Sequence, residues 1–451
     1  MRLPLLCGAL ASLAIPALPA HAADAPSLAF ETFTLESGLT VILHHEPRLP
    51  LVAVSVWYDV GGLHEVAGKS GFAHLFEHMM FQGSLHVPED QHFALLQSAG
   101  VSDANGTTDF DRTNYFETVP KNHLELALWL ESDRMAYLLP RLTEKSLKNQ
   151  IEVVKNERRQ SVDNAPYQAL DEKIVQTIWG AGHPYHGNVI GSMADLDAAS
   201  VNDVKEFWLT YYTPANASLA IAGDFDPATI KALVTKYFGP IKGRAKPAAP
   251  KIDVPVLKGE TVIRWEEKVG TLPKLIIDWV VPPAYGPGSA ELDLIASILG
   301  GNRSARLTKK LVHDTQIAQS VSVDIRSLKA GSLFGIDVTL RPGHTLEEAQ
   351  KAVDQVMAEF LASGPTDVEV KRAKNGFETR VVSALESIGG FNGRVEILQE
   401  YKLLLGDPGK LAWDIEQHTK PTAAELKEVA VRWLGPNRVV ALAMPRAKAA
   451  E

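Results

Sequence analysis

Two histidines and a glutamate fall within five consecutive residues, His74-Leu75-Phe76-Glu77-His78. On a helix, positions i and i+4 lie one turn apart on the same face, so both imidazoles can reach a single metal ion while Glu77 stands beside them as a general base. The order HxxEH inverts the HExxH motif of zinc hydrolases and keeps its chemistry. Gly71-Phe72-Ala73 before the motif and Met79-Met80-Phe81 after it are largely apolar, which predicts a buried helix. Imidazoles and a carboxylate in such a setting need a partner, and a metal supplies one.

A catalytic zinc takes three protein ligands, so the motif needs one more donor. The chain has one cysteine, Cys7, inside a segment expected to be removed, which leaves His, Asp or Glu. The predicted helix from Glu144 to Gln160 offers Glu152 and Glu157. Gln150 and Glu157 are seven apart and share a face, whereas Glu152 is rotated away from Glu157, so only one of the two acids can face the metal.

The elements that must position these groups belong to a chain of 451 residues, 45% hydrophobic and 22% charged, an ordinary globular composition long enough for two or more domains. A net charge of -9 without a basic block argues against nucleic acid or an anionic membrane surface as partner. Arg2 is followed by an apolar run from Leu3 to Pro19 and then Ala20-His21-Ala22, the pattern of a secretory signal peptide, so residues 1–23 are expected to be cleaved and the product to be periplasmic or secreted. No other stretch is long and apolar enough to span a bilayer.

A Pro-, Ala- and Lys-rich stretch at 241–260 reads as a linker between a first domain, 24–240, and a second, 261–451. The two segments echo one another. Leu49-Pro50-Leu51-Val52 recurs as Leu272-Pro273-Lys274-Leu275, 223 positions later, and Asp203-Val204-Lys205-Glu206 recurs as Glu425-Leu426-Lys427-Glu428, 222 positions later. Strands at Thr40 to His44 and Val52 to Tyr58 alternate with helices at Gln91 to Ser98 and Asn122 to Met135, which predicts an α+β fold of two homologous α/β-sandwich halves. The segment from Asn105 to Glu117 reads as a polar, exposed edge strand able to accept an extended peptide.

The residues Gly71 to Met79, Asn105-Gly106-Thr107-Thr108 with Thr113-Asn114-Tyr115, and Val153 to Arg159 resemble the M16, or pitrilysin and insulinase-like, zinc metallopeptidases. The similarity is greatest to their short bacterial M16B-type branch, which is similar to mitochondrial processing peptidase subunits. It covers essentially the whole mature chain and implies the LuxS/metallopeptidase-like domain in duplicate, the second copy non-catalytic. It implies one Zn²⁺ per chain and selects Glu157, 79 positions beyond His78, as the third ligand. The family often carries a supporting Glu two helical turns before that ligand; here the position is Gln150. The implied reaction is hydrolysis of peptides or unfolded polypeptides by water activated at the zinc, with Glu77 as general base. The strand beside the metal would hold substrate backbone, making Asn105, Thr107, Thr108 and Asp109 candidate substrate contacts.

Family members with a complete site carry an Arg and a Tyr seven residues apart in the second half. The landmarks Gly300-Gly301 and Arg306-Leu307 are present, yet those two positions hold Val312 and Gln319. The resemblance then implies a heterodimer, in which a homologous subunit lacking HxxEH supplies the Arg and Tyr. An active homodimer and a non-catalytic assembly subunit of an M16-like complex are the alternatives.

Overall fold

The structure is a computed structural model and describes residues 26–101 and 103–446. The expected signal peptide lies outside them. The first half contains β1 (Glu31–Thr34), β2 (Thr40–His45), β3 (Leu51–Tyr58), α1 (Phe72–Met79), α2 (Gln91–Ser98), β4 (Ala104–Thr108), β5 (Thr113–Pro120), α3 (Leu124–Tyr137), α4 (Glu144–Arg158), α5 (Gln168–Trp179), α6 (Met193–Ala198), α7 (Val201–Tyr211), β6 (Ala217–Gly223) and α8 (Ile230–Phe238). The second contains β7 (Glu260–Glu267), β8 (Lys274–Val281), α9 (Ser289–Leu299), β9 (Ala318–Arg326), β10 (Ser332–Leu340), α10 (Leu346–Ser363), α11 (Asp367–Ala384), α12 (Arg394–Leu405), α13 (Leu411–Thr419), α14 (Ala423–Trp433) and β11 (Arg438–Pro445).

The sheets have the orders β1-β2-β6-β3-β5-β4 and β7-β11-β8-β10-β9, which match strand for strand once β1 is set aside. β2 with β6 and β7 with β11 pair in parallel; the other neighbours are antiparallel. β3 and β8 begin 223 residues apart, and so do α4 and α11. Each of those helices starts behind a threonine, Thr143 or Thr366, whose hydroxyl accepts a backbone N–H one turn in, closing a capping box. The chain is an α+β duplication.

Each half lends a helix to the other. Leu170, Ile174 and Ile178 of α5 pack on Ile276, Val439 and Ala441 of the second sheet. Val395 and Leu398 of α12 pack on Ile42, Ala53 and Ala220 of the first. Sheets covered on both faces need strands apolar on both faces, which is why β3 is buried almost throughout instead of alternating. Polar bonds fix the exchange: the Gln399 amide donates to Ser55 O at 2.9 Å and Ser218 O at 3.0 Å, and Glu396 accepts from Trp57 Nε1 at 2.7 Å and Asn114 Nδ2 at 2.8 Å.

Three expected elements are corrected. The strand expected over Asn105 to Glu117 is a hairpin, turned where Asp109 N–H donates to Arg112 O at 2.9 Å and the Asp109 carboxylate accepts Phe110 N–H at 2.7 Å. This turn puts β4 at the edge of the sheet and buries β5. The helix expected from Asn122 starts at Leu124 after one 3-10 turn, and the helix expected to reach Gln160 ends at Arg158 and widens into a π turn over Arg159–Asp163.

Behind the hairpin, Arg134 is 2% exposed, donates from Nε to Glu131 at 2.9 Å and lies over the Tyr115 ring at 4.2 Å. Removing one partner strands the other charge in the interior. Arg134→Ala is therefore expected to lower the unfolding free energy by about 3–5 kcal/mol, read from denaturant titration. A loss under about 1 kcal/mol, the range of surface pairs, would contradict it.

In the second half, the buried His418 ring stacks on Phe377 at 3.7 Å, with Nε2 3.1 Å from Asp293 and Nδ1 2.9 Å from Asp414 O. Burial opposes its charge, but Asp293 and Asp414 outweigh that and push the imidazole up to about 9. A raised folded-state value means the stabilisation is complete below the unfolded value of 6.5 and is lost as pH rises through about 9. Stability should fall by on the order of 3 kcal/mol across that window, and His418→Gln should flatten the slope. An unchanged slope would refute the assignment.

Candidate metal centre

The motif helix α1 is held at its start by Glu65, whose carboxylate accepts Gly71 N–H at 2.9 Å and Ala73 N–H at 2.8 Å, two groups that a helix N-terminus otherwise leaves unpaired. Phe72, Leu75, Phe76 and Met79 are buried, which fixes the rotation of the helix and turns His74 and His78 together towards α4. Glu157, in the last turn of α4, meets them: its Oε2 lies 3.3 Å from His78 Nε2 and 3.7 Å from His74 Nε2. One donor atom from each of the three residues falls within 4.8 Å of the others, the one such cluster among the described residues.

Glu152 is exposed and paired with Lys155 at 3.0 Å. Gln150 is buried one face-repeat before Glu157 and helps to favour the charged form of His78. Both positions follow from the seven-residue spacing on α4.

Glu77 is 8% exposed and accepts a hydrogen bond from the Thr108 hydroxyl at 2.6 Å. β4 passes so close that a Cβ on Gly106 would meet Glu77 Oε1 at 3.1 Å, so a larger residue there would press on the general-base candidate. Of the four candidate substrate contacts, Thr108 is committed to Glu77. Thr107 bonds with Asn114 and Arg112, while Asn105 and Asp109 are exposed. The part of Thr108 in holding Glu77 was not foreseen, although the period-two alternation that puts Gly106 and Thr108 on one face carries that signal. Arg112 was also missed; it donates to Thr107 O at 3.0 Å and stiffens the hairpin.

The electrostatics of the protein groups divide the cluster. Burial, with the neighbouring His78, lowers His74 to about 4, so its ring is neutral, the form that binds a metal. Burial works against the charged His78, but the bond to Glu157 and the nearby Glu77 leave it above its ordinary value. The bond from His78 holds Glu157 below the usual carboxylate range, and burial pushes Glu77 up.

The donor set fits zinc. A tetrahedral ion with bonds of 2.0–2.1 Å separates its ligand atoms by about 3.4 Å, and the two distances to Glu157 bracket that value. Two nitrogens and one carboxylate oxygen are a common catalytic set and leave a fourth position for water.

In the second half Val312 packs against the core of its own sheet and Gln319 is exposed near the start of β9.

Known proteins share this arrangement of halves. Residues 40–187 match the family described as Insulinase (Peptidase family M16), and residues 198–377 match the Peptidase M16 inactive domain. The zinc protease PqqE of Helicobacter pylori is 28% identical over 364 residues, 79% of this chain and 80% of that protein. The uncharacterized zinc protease YmxG of Bacillus subtilis is 23% identical over 372 residues, 81% and 88% of the two chains. The crystal structure of a protease from Helicobacter pylori superposes with a TM-score of 0.85 at 26% identity, covering 93% of this chain and all of that one. The periplasmic protease PqqL of Escherichia coli shares the fold, with a TM-score of 0.78 at 15% identity over 93% of this chain and 48% of that one. Among the described residues no helix is long and apolar enough to cross a membrane.

Proposed function

Since the chain belongs to the M16 (insulinase) peptidase family, we propose that it is an exported zinc-dependent endopeptidase or oligopeptidase and the catalytic chain of a heterodimer. The convergence of His74, His78 and Glu157 beside a buried Glu77 carries the reading. Relatives named zinc proteases support the metal, and the apolar leader at residues 1–23 supports export.

His74 Nε2, His78 Nε2 and a Glu157 carboxylate oxygen would hold the ion. When bound, zinc supplies Lewis-acid polarisation and makes water acidic enough to lose a proton near neutral pH. Glu77, fixed by the Thr108 hydroxyl, takes that proton and returns it to the leaving amine. The outer edge of β4 pairs with no strand among the described residues, so an extended peptide can add there with its backbone beside Glu77.

An apolar Val312 and an amide at Gln319 offer neither a cation nor a phenol to grip that peptide, which supports a second subunit supplying both. The purified mature chain, alone and with a homologue lacking HxxEH, should be assayed for zinc content, mass and cleavage of a peptide library with and without chelator. Zinc-dependent cleavage that rises on mixing is expected. A zinc-free chain would sink the enzyme reading, and a fully active homodimer would sink the heterodimer.

A further inference from the structure

The duplication places a cavity where the metal cluster would be repeated. The metal cluster is built by α1, β4 and α4; in the second half their counterparts α9, β9 and α11 line an open cavity of about 1090 Å³, with Arg303, Arg372 and Arg380 exposed to solvent in it. Glu157 and Arg380 are 223 apart, the spacing of β3 from β8 and of α4 from α11. The metal-binding acid is thus replaced by a cation. At the same spacing His74 and His78 correspond to Ser297 and Gly301, both in the cavity lining, so no comparable donor set remains.

The wall that replaced it is basic. Arg303, Arg372 and Arg380 line the cavity and make no ion pair among the described residues, while Lys309 and Asp293 are each already paired, with Asp314 and His418. Arg372 donates to Ser304 Oγ at 2.8 Å, which aims it at the loop after Gly300-Gly301. Asp324 on β9 is the one unpaired acid in the wall, so the three arginines leave a cationic surplus in a chain of net charge -9.

One residue points to an occupant. Arg372, Gly376 and Arg380 follow at i, i+4 and i+8 and so share a face of α11. A glycine inside a helix is unfavourable relative to alanine, and here no packing requires it, because a Cβ on Gly376 would meet nothing within 4 Å. With no side chain at 376, nothing on this face stands between Arg372 and Arg380, and a planar carboxylate is the anion that two such forks bind with most directional preference. β9 is the free edge of its sheet, so an extended chain can lie along it as along β4.

We propose that this cavity is a carboxylate anchor for the polypeptide substrate, taking its C-terminal carboxylate or an acidic side chain between Arg372 and Arg380 over Gly376. The inference rests on the peptidase reading for what the ligand is, and the test separates the two. A neutral peptide labelled with a fluorophore is prepared with a free C-terminus, with an amide C-terminus, and as the amide with one internal glutamate. Binding to zinc-loaded Glu77→Gln protein is followed by anisotropy. At least one carboxylate form is expected to bind about tenfold more tightly than the neutral amide, and which one identifies the source. Arg372→Gln with Arg380→Gln should bring that ratio to about one, and so should Gly376→Leu, which fills the gap without removing charge. Equal binding of all three peptides, a ratio unchanged in the double variant, or equal competition by inorganic phosphate would overturn the anchor. If the wild-type protein cuts none of the peptides while the anisotropy ratio holds, the peptidase reading fails and the carboxylate site stands.

Discussion

Glu77→Gln is expected to leave zinc binding intact and to slow peptide cleavage by about 10²- to 10⁴-fold, the range for loss of a positioned general base. The substitution is nearly isosteric, and the glutamine carbonyl can still accept the Thr108 hydroxyl that Glu77 accepts at 2.6 Å, so the helix and its packing are kept. Glu77 is not one of the three donors that converge, so the zinc content should match wild type. What disappears is a base of suitable strength: burial raises the Glu77 carboxyl above its ordinary value, whereas an amide takes no proton near neutral pH. The loss corresponds to about 3–5 kcal/mol of transition-state stabilisation and should appear in kcat more than in KM, because the group removed acts in proton transfer and not in pairing with the peptide backbone. Full activity of a zinc-loaded Glu77→Gln protein would remove Glu77 from the reaction.

Part of this centre is legible in the chain because helical geometry is local. His74, Glu77 and His78 are fixed relative to one another by a single turn, and Gln150 and Glu157 by two, so their spacing carries their arrangement. The choice of Glu157 over Glu152 is not local. It depends on how α4 rotates against α1, which many core contacts set together, and it needed the family resemblance to be read in advance. The exchange of α5 and α12 was not visible at all. An amphipathic stripe says that a helix covers something apolar and is silent about which sheet. The strand repeat announced two halves, but 223 residues of spacing do not tell whether they stand side by side or interlock. Arg380 illustrates the same limit: its meaning depends on Glu157 occupying the equivalent place, a relation that emerges once the sheets are matched strand for strand.

Glu157→Gln should remove the metal and spare the fold. Glu157 contributes the anionic donor of the set, and it is half-exposed, with 42% of its side chain accessible, so little packing depends on it. The amide keeps the shape, but without the charge it binds a divalent cation weakly. Loss of an outer partner to a metal ligand costs 10- to 100-fold in affinity, and loss of the ligand itself is expected to cost at least about 10²-fold. Zinc should then be stripped by a chelator that leaves the wild type loaded, with cleavage falling in proportion and the thermal midpoint of the chelator-treated proteins unchanged. Glu152→Gln is the matched control: same helix, same chemistry, but a side chain engaged with Lys155 away from the histidines. It should hold zinc as the wild type does. Equal zinc affinity in the two variants would exclude Glu157 as a ligand. Selective loss at Glu152 would mean that α4 is rotated from the orientation that brings Glu157 to within 3.3 Å of His78.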